Sequence, residues 1–489
     1  MNEIILTPDE KILDGVLKDF EELAKIPRPS KHEEQVSDFL KSFFVERGIE
    51  VAQDDCKNII AEVPASDGKE NFPRTILQAH MDMVCVAAEG YQFNPKTDPI
   101  KLIRDEKFLS AEGTSLGADD GIGVAEILWL VENREKFSHG PLRIIFTVDE
   151  EAGMGGAAGL DEKFFADAKF LINCDSERFG EIVAGASGTV HATFRRELHY
   201  VRPDTKLFTN AVINIGGLRG GHSGEKISCG RINAIKVAVQ ILLQITNRGK
   251  LRLSKISGGK AFNAIPDSAQ LVVATDLTID DLQTLCKNFE RRLKNVFGKT
   301  DPDVTITAQI IKRPEKVLHA KDYEFLTNFI TLIHSGVYLM RPEDPAQVMA
   351  SANLGMVRMD DNIVELKLLA RGNADELVDE FIEGFGQAAK LCAFESKFSA
   401  PTPAWLFKPD SELLKTAKKI FTEVTGHAPA VKVSHAALET SLFLKKNPTL
   451  EIISIGPTNE NIHSPNERLQ LDTVAPHVKF IAALLENLS

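Results

Sequence analysis

The chain of 489 residues has little cysteine and no excess of basic charge. Its six cysteines, at 56, 85, 174, 229, 286 and 392, are scattered, and no two form a C-x-x-C pair. In a chain this long they read as reduced core residues, which excludes a disulfide framework. Acidic residues outnumber basic ones 70 to 57, for a formal net charge of -13. That argues against nucleic acid as a partner, since such a role needs a basic face. No apolar run approaches the length of a membrane span. The opening MNEIILTPDEK carries acids and too short an apolar stretch for a signal peptide. The sequence therefore predicts a cytoplasmic protein with neither a membrane nor a nucleic-acid partner. The phosphate-loop signatures G-x-x-x-x-G-K-[ST] and G-x-G-x-x-G are also missing, which disfavours nucleotide binding.

What is present is an ordinary globular composition, 43% hydrophobic and 26% charged, long enough for more than one core. In the N-terminal part, Ile12, Val16, Phe20 and Leu23 repeat at helical spacing after a helix entry at Thr7-Pro8-Asp9. Short apolar, β-branched runs follow at 58–64, 75–84, 142–149 and 169–175, as buried strands require, with a buried helix over 121–134. Strands alternating with helices predict an α/β sandwich around a largely parallel sheet. Past AGASG (184–188) the texture changes to strands spaced by helices, in a β-α-β-β-α-β-like plan that is duplicated if it fills the segment. The Pro-rich SAPTPAW (399–405) ends it, and helix–strand alternation resumes. The expected organisation is a catalytic domain, 1–186 and 400–489, interrupted by an inserted α+β domain, 187–399.

His80-Met81-Asp82, Asp119-Asp120, Glu150-Glu151, Asp175 and His463 each sit beside glycine or at the end of an apolar run. Two histidines and several carboxylates without cysteine suit a pair of divalent cations, zinc first, with cobalt or manganese as alternatives. A paired metal site with a spare carboxylate is hydrolase chemistry. In HMD, strand alternation puts His80 and Asp82 on one face, so Asp82 can fix the imidazole. In SLGADDGIG (115–123), small neighbours let the backbone bring a carboxylate close to an ion. In TVDEEAGMGGA (147–157), three consecutive acids are costly to cluster without cations. One glutamate can bind metal while its neighbour stays free as a base. His222 stands in the Gly-rich loop GLRGGHSGEK (217–226), at whose tip a histidine can reach a ligand. His427 and His435 have no clear reading.

In this order, QAHMDMV, GADDGIGVA, TVDEEAGMGGA, INCDSE, GGHSG and GPTNENIHSPNER resemble the M20 metallopeptidases over essentially the full chain. The likeness is nearest to the aminoacyl-histidine dipeptidases of the peptidase D type. The resemblance implies a two-zinc peptidase whose inserted domain is a lid and dimerisation domain, hence a homodimer acting on small peptides. It implies Asp119 as bridging ligand, His80 and Asp175 on one metal, and Glu151 and His463 on the other. Glu150 would be the general base and Asp82 the orienter of His80. His222 would stabilise the oxyanion, and Asn263 and Arg371 would hold the substrate. Two segments depart from the family's pattern. SHAALETS (434–441) replaces an HAGLECG-like run, and LLARGN (368–373) an RSS-like one, with Arg371 kept. The expected activity is hydrolysis of unblocked dipeptides, Xaa-His included. Its rivals are a deacylase, carboxypeptidase or tripeptidase of the same fold, and a non-catalytic metal-binding protein.

Overall fold

The computed structural model describes residues 9–342 and 344–488. Thr7 and Pro8, the expected helix entry, lie outside them, as do the first residues of the expected N-terminal domain, Glu343 and Ser489. The protein divides into two compact units. One is built from Met1–Ala186, Phe407–Ser434 and Leu438–Ser489, the other from Ser187–Leu406 and His435–Ala437.

The first unit is organised by an eight-stranded sheet. In spatial order its strands are Glu50–Gln53, Ile59–Val63, Leu142–Thr147, Arg74–His80, Ala168–Asn173, Glu451–Ser454, Glu181–Ala186 and Ala430–Ser434. The middle four run parallel. Leu142–Thr147 is buried at every position and Arg74–His80 at all but its first, as parallel strands covered on both faces must be. Helix Ala118–Glu132 is buried from Ala118 to Val131 apart from Asp119, which explains its lack of a polar stripe. Its first residues, Asp119 and Asp120, leave helical geometry, and the peptide between them is cis. Regular helix thus begins at Gly121.

The second unit holds a nine-stranded sheet in which all strand pairs are antiparallel. Thr305–Ile310, Thr209–Gly216, Ala269–Thr275 and Leu251–Gly258 stand in the order of one β-α-β-β-α-β motif. Val348–Asp360, Ile363–Gly372, Gly188–Glu197 and Glu395–Phe398 stand in that of a second, which encloses the first in the sequence. The plan is therefore duplicated, and its halves meet through Gly258 and Val357. Its core joins Val190, Ala192 and Phe194 to helices Ala234–Thr246 and Asp375–Leu391. The first helix is capped by Asn233, which accepts from the amides of Ile235 and Lys236 at 3.0 and 3.3 Å.

Candidate active site

The four parallel strands end level. His80 pairs with Thr147, and Asn173 stands opposite both Gln78 and Ser454. Each strand passes into a loop at its carboxyl end, where open α/β sheets bind ligands. Those loops carry Asp82, Glu150 with Glu151, Asp175 and, after Ser454, His463. Asp119 and Asp120 join them from the start of the buried helix.

The side chains converge. His80 Nε2 lies 3.3 Å from Asp119 Oδ1 and 3.5 Å from Asp175 Oδ1. His463 Nε2 lies 3.1 Å from Asp119 Oδ2 and 2.7 Å from Glu151 Oε1. Asp119 thus presents one oxygen to each histidine, the posture of a carboxylate shared between two cations. Ligand atoms of His80, Asp119 and Glu151 lie within 4.8 Å of one another, and so do those of His80, Asp120 and Asp175. Asp120 stands in the acidic set read from the sequence but not among the ligands the resemblance implies, and its Oδ2 also accepts from the His80 amide at 3.2 Å.

Two backbones are held in the left-handed region to achieve this, Asp149 at φ 59° and His463 at φ 57°. Such conformations are uncommon away from glycine and gather at functional sites. Asp149 is steadied by Glu33, whose Oε1 accepts its amide at 3.0 Å. Asp82 accepts from the amides of Glu150 and Glu151 at 3.1 and 3.2 Å and from the Ser30 hydroxyl at 2.7 Å. Its Oδ1 is 3.5 Å from His80 Nδ1. It therefore fixes the acidic pair as well as the imidazole. The glycines of GADDGIG have definite reasons: Gly117 sits at φ 72°, and a Cβ on Gly123 would stand 2.3 Å from Asp120 Oδ1.

Burial is the leading cause that lifts the carboxyls of Glu150, Glu151 and Asp120 above their usual range, and neighbouring acids add to it. Burial likewise lifts Asp175 to about 7. Burial opposes a charge on His463, but the carboxylates of Asp119 and Glu151 outweigh it and push the imidazole up to about 11. In Asp119 the same opposition is overcome by both histidines, and its carboxyl is held low. Bare, this much negative charge is balanced by protons. Divalent cations are the natural replacement, so the donor set fits a pair of them.

Three charged residues that sequence reasoning missed hold the frame. Glu467 is 2% exposed and accepts from four successive amides, Leu116, Gly117, Ala118 and Asp119, at 2.8, 3.0, 2.9 and 3.3 Å. Arg28 donates to the carbonyls of Met81 and Asp82 at 2.9 and 3.2 Å. Glu439 accepts from Gln78 Nε2 and Thr147 Oγ1, both at 2.7 Å, and burial lifts its carboxyl to about 8. Glu467 lies within GPTNENIHSPNER and Glu439 within SHAALETS, but nothing in either segment marks the glutamate as structural, and Arg28 stands between two prolines with no further signal. Glu467→Ala would strand four buried donors, at about 1–3 kcal/mol each. We expect a clear drop in melting temperature together with weaker metal binding. Calorimetry and metal titration check this, and an unchanged melt would remove Glu467 from the frame.

His222, Asn263 and Arg371 belong to the second unit. Gly221–His222 pairs with Ala264–Ile265, and the Ser223 amide donates to the Asn263 carbonyl at 2.8 Å. Asn353 Nδ2 holds the same turn through the carbonyls of Phe262 and Ala264 at 3.0 and 2.8 Å. A Cβ on Gly224 would stand 3.0 Å from the His222 ring and 3.4 Å from the Arg371 guanidinium, so Gly224 lets those two side chains approach. Arg371 is 5% exposed, and burial depresses its pKa to about 10.

Comparison with known proteins agrees with this geometry. Residues 76–487 match the model of peptidase family M20/M25/M40, and the chain belongs to that family. The cytosol non-specific dipeptidase of Escherichia coli (strain K12) is 33% identical over 474 residues, 96% of this chain and 96% of that protein. The crystal structure of aminoacylhistidine dipeptidase from Vibrio alginolyticus superposes with a TM-score of 0.87 at 32% identity, covering 100% of this chain and 98% of that one. The aminopeptidase PepT of Bacillus cereus shares the fold, with a TM-score of 0.55 at 18% identity over 97% of this chain and 98% of its own.

Proposed function

We propose that this protein is a dinuclear-metal dipeptidase that hydrolyses unblocked dipeptides, Xaa-His among them, with zinc as the metal. The observation that carries the proposal is Asp119, which offers one carboxylate oxygen to His80 and the other to His463. Full-length likeness to two proteins named as dipeptidases supports the substrate class. His80 and Asp175 would hold one cation and Glu151 and His463 the other, with Asp119 between them. A pair of cations held by these residues would supply Lewis-acid polarisation of the scissile carbonyl and a more acidic attacking water.

The chain's own residues do the rest. Glu150 takes the proton of the attacking water and returns it to the leaving amine. It needs no place among the ligands because Glu151 fills that one. Asp82 keeps the two glutamates apart in role by holding both backbone amides. His222 donates to the developing oxyanion. Asn263 contacts the peptide, and Arg371 receives its carboxylate in a two-bond fork. The second unit serves as lid and dimerisation domain, and the enzyme works as a cytoplasmic homodimer. No helix among the described residues is long and apolar enough to cross a membrane.

The test is a substrate panel assayed on chelator-stripped protein refilled with zinc, cobalt or manganese. Free dipeptides should be cleaved, tripeptides and N-acylated amino acids poorly. Stripping should abolish turnover, and zinc should restore it. Full activity in metal-free protein, or preference for N-acylated substrates, overturns the reading.

A further inference from the structure

Arg371 is a buried cation without a counter-charge. Among the described residues no carboxylate pairs with it, and its Nε has no hydrogen-bond partner. Among the described residues, the guanidinium's one hydrogen bond runs from Nη1 to the backbone carbonyl of His435, at 3.3 Å. A guanidinium in that state is costly unless an anion completes it.

The residue that supplies this carbonyl is itself pinned. His435 Nδ1 lies 3.0 Å from Ser187 Oγ, and Nε2 lies 2.7 Å from Ser351 Oγ. Ser351 stands directly opposite Arg371 in the sheet, so the imidazole is anchored beside the guanidinium it serves. The Ser187 amide donates to the Ala436 carbonyl at 3.2 Å, and its hydroxyl reaches Asn373 Oδ1 at 3.3 Å. Two hydroxyls and a backbone bond therefore fix a short segment, His435–Ala437, that the chain sends back into the second unit from far along the sequence. A histidine between two hydroxyls can donate from one nitrogen and accept at the other without carrying charge. Burial and the neighbouring Arg371 also push its pKa down to about 3, so it does not compete with Arg371 as a second cation site for the anion.

We propose that His435 is a positioning residue that sets specificity for a free carboxylate: it orients the Arg371 guanidinium through a backbone carbonyl and leaves its charge unneutralised. The proposal rests on the reading of Arg371 given above and deepens it. An acid at position 435 would satisfy Arg371 from within and blind the site to the substrate's carboxylate, whereas a neutral hydrogen-bonding side chain would be tolerated.

The experiment uses the full-length metal-loaded enzyme, a dipeptide and its C-terminal amide. For His435→Glu, KM on the free dipeptide should rise by about 30-fold to 100-fold, with kcat within about threefold. The amide should lose less than about threefold in kcat/KM, and His435→Gln should recover most of the loss on the free dipeptide. Metal content should stay at the parent's level. If His435→Glu does not fold, Ser351→Ala, which removes the Nε2 partner, should raise KM for the free dipeptide selectively by about threefold to tenfold. Arg371→Ala is the control. If it discriminates between the two substrates while the His435 and Ser351 variants lose equally on both, the inference falls alone. If Arg371→Ala does not discriminate, the carboxylate reading of Arg371 falls and takes the inference with it. A loss confined to kcat, or a loss of metal, also overturns it.

Discussion

Glu150→Gln is expected to retain its full metal complement and lose turnover by about 10²–10⁴-fold, the usual contribution of a general acid–base group. The expectation follows from the division of labour at the strand end. Glu151 Oε1 is 2.7 Å from His463 Nε2 and points into the ligand cluster. No ion pair joins Glu150 to either site histidine among the described residues, although it is close enough to feel the charges of His80 and Asp175. Glutamine keeps the shape and the backbone bond to Asp82 but cannot carry a proton. The loss should fall on kcat, with KM nearly unchanged, because no substrate contact is removed. Elemental analysis beside steady-state kinetics is decisive. If Glu150→Gln loses metal while Glu151→Gln keeps it, the two roles are exchanged.

Asp119→Ala should be the most damaging change in the ligand set. Each oxygen of Asp119 faces a different histidine, at 3.3 and 3.1 Å, so in the proposed dinuclear site one substitution would remove a ligand from both cations. His463→Ala, by contrast, would remove a ligand from one. Metal content per chain should therefore fall at both positions in Asp119→Ala and mainly at one in His463→Ala. Cobalt-substituted protein offers a second readout, since its visible absorption reports coordination directly. Retention of one tightly bound ion in Asp119→Ala would show that the carboxylate is not shared.

Three of the strands that carry the site were legible because each is a short apolar run ending in an acid or histidine, a pattern set by burial on both faces, whereas Glu451–Ser454 runs on into Ile455-Gly456-Pro457 with no such ending. What the pattern could not show was register. That His80, Thr147, Asn173 and Ser454 end level depends on pairings such as His80 with Thr147, Gln78 with Asn173 and Asn173 with Ser454, all between segments distant in the sequence. The same limit hid Glu467 and Glu439, whose partners at Leu116–Asp119 and Gln78 are more than 340 residues distant in sequence. In Asp119-Asp120 the sequence suggested a carboxylate placed to approach a cation. It did not show that the second acid turns back to the His80 amide. In the second unit, the alternation of strand and helix patterns suggested a β-α-β-β-α-β-like plan but left its duplication open. The short pairing of Gly221–His222 with Ala264–Ile265, which brings His222 beside Asn263, is two residues long and has no periodicity to read. His435 was noticed without a role, since its meaning lies in Ser187, Ser351 and Arg371, none of them near it in the chain.

The position of Glu451–Ser454 has a consequence for how the protein is made. This strand, synthesised after both of its neighbours, lies between Ala168–Asn173 and Glu181–Ala186 inside its sheet. Until it arrives, the growing chain has an open strand edge inside the future sheet, the kind of edge that pairs with other chains. The same late insertion brings His463 to ligands laid down more than 280 residues earlier. A chain that stops short of this strand and of His463 should thus be both prone to aggregation and without peptidase activity, so that catalysis waits on their arrival.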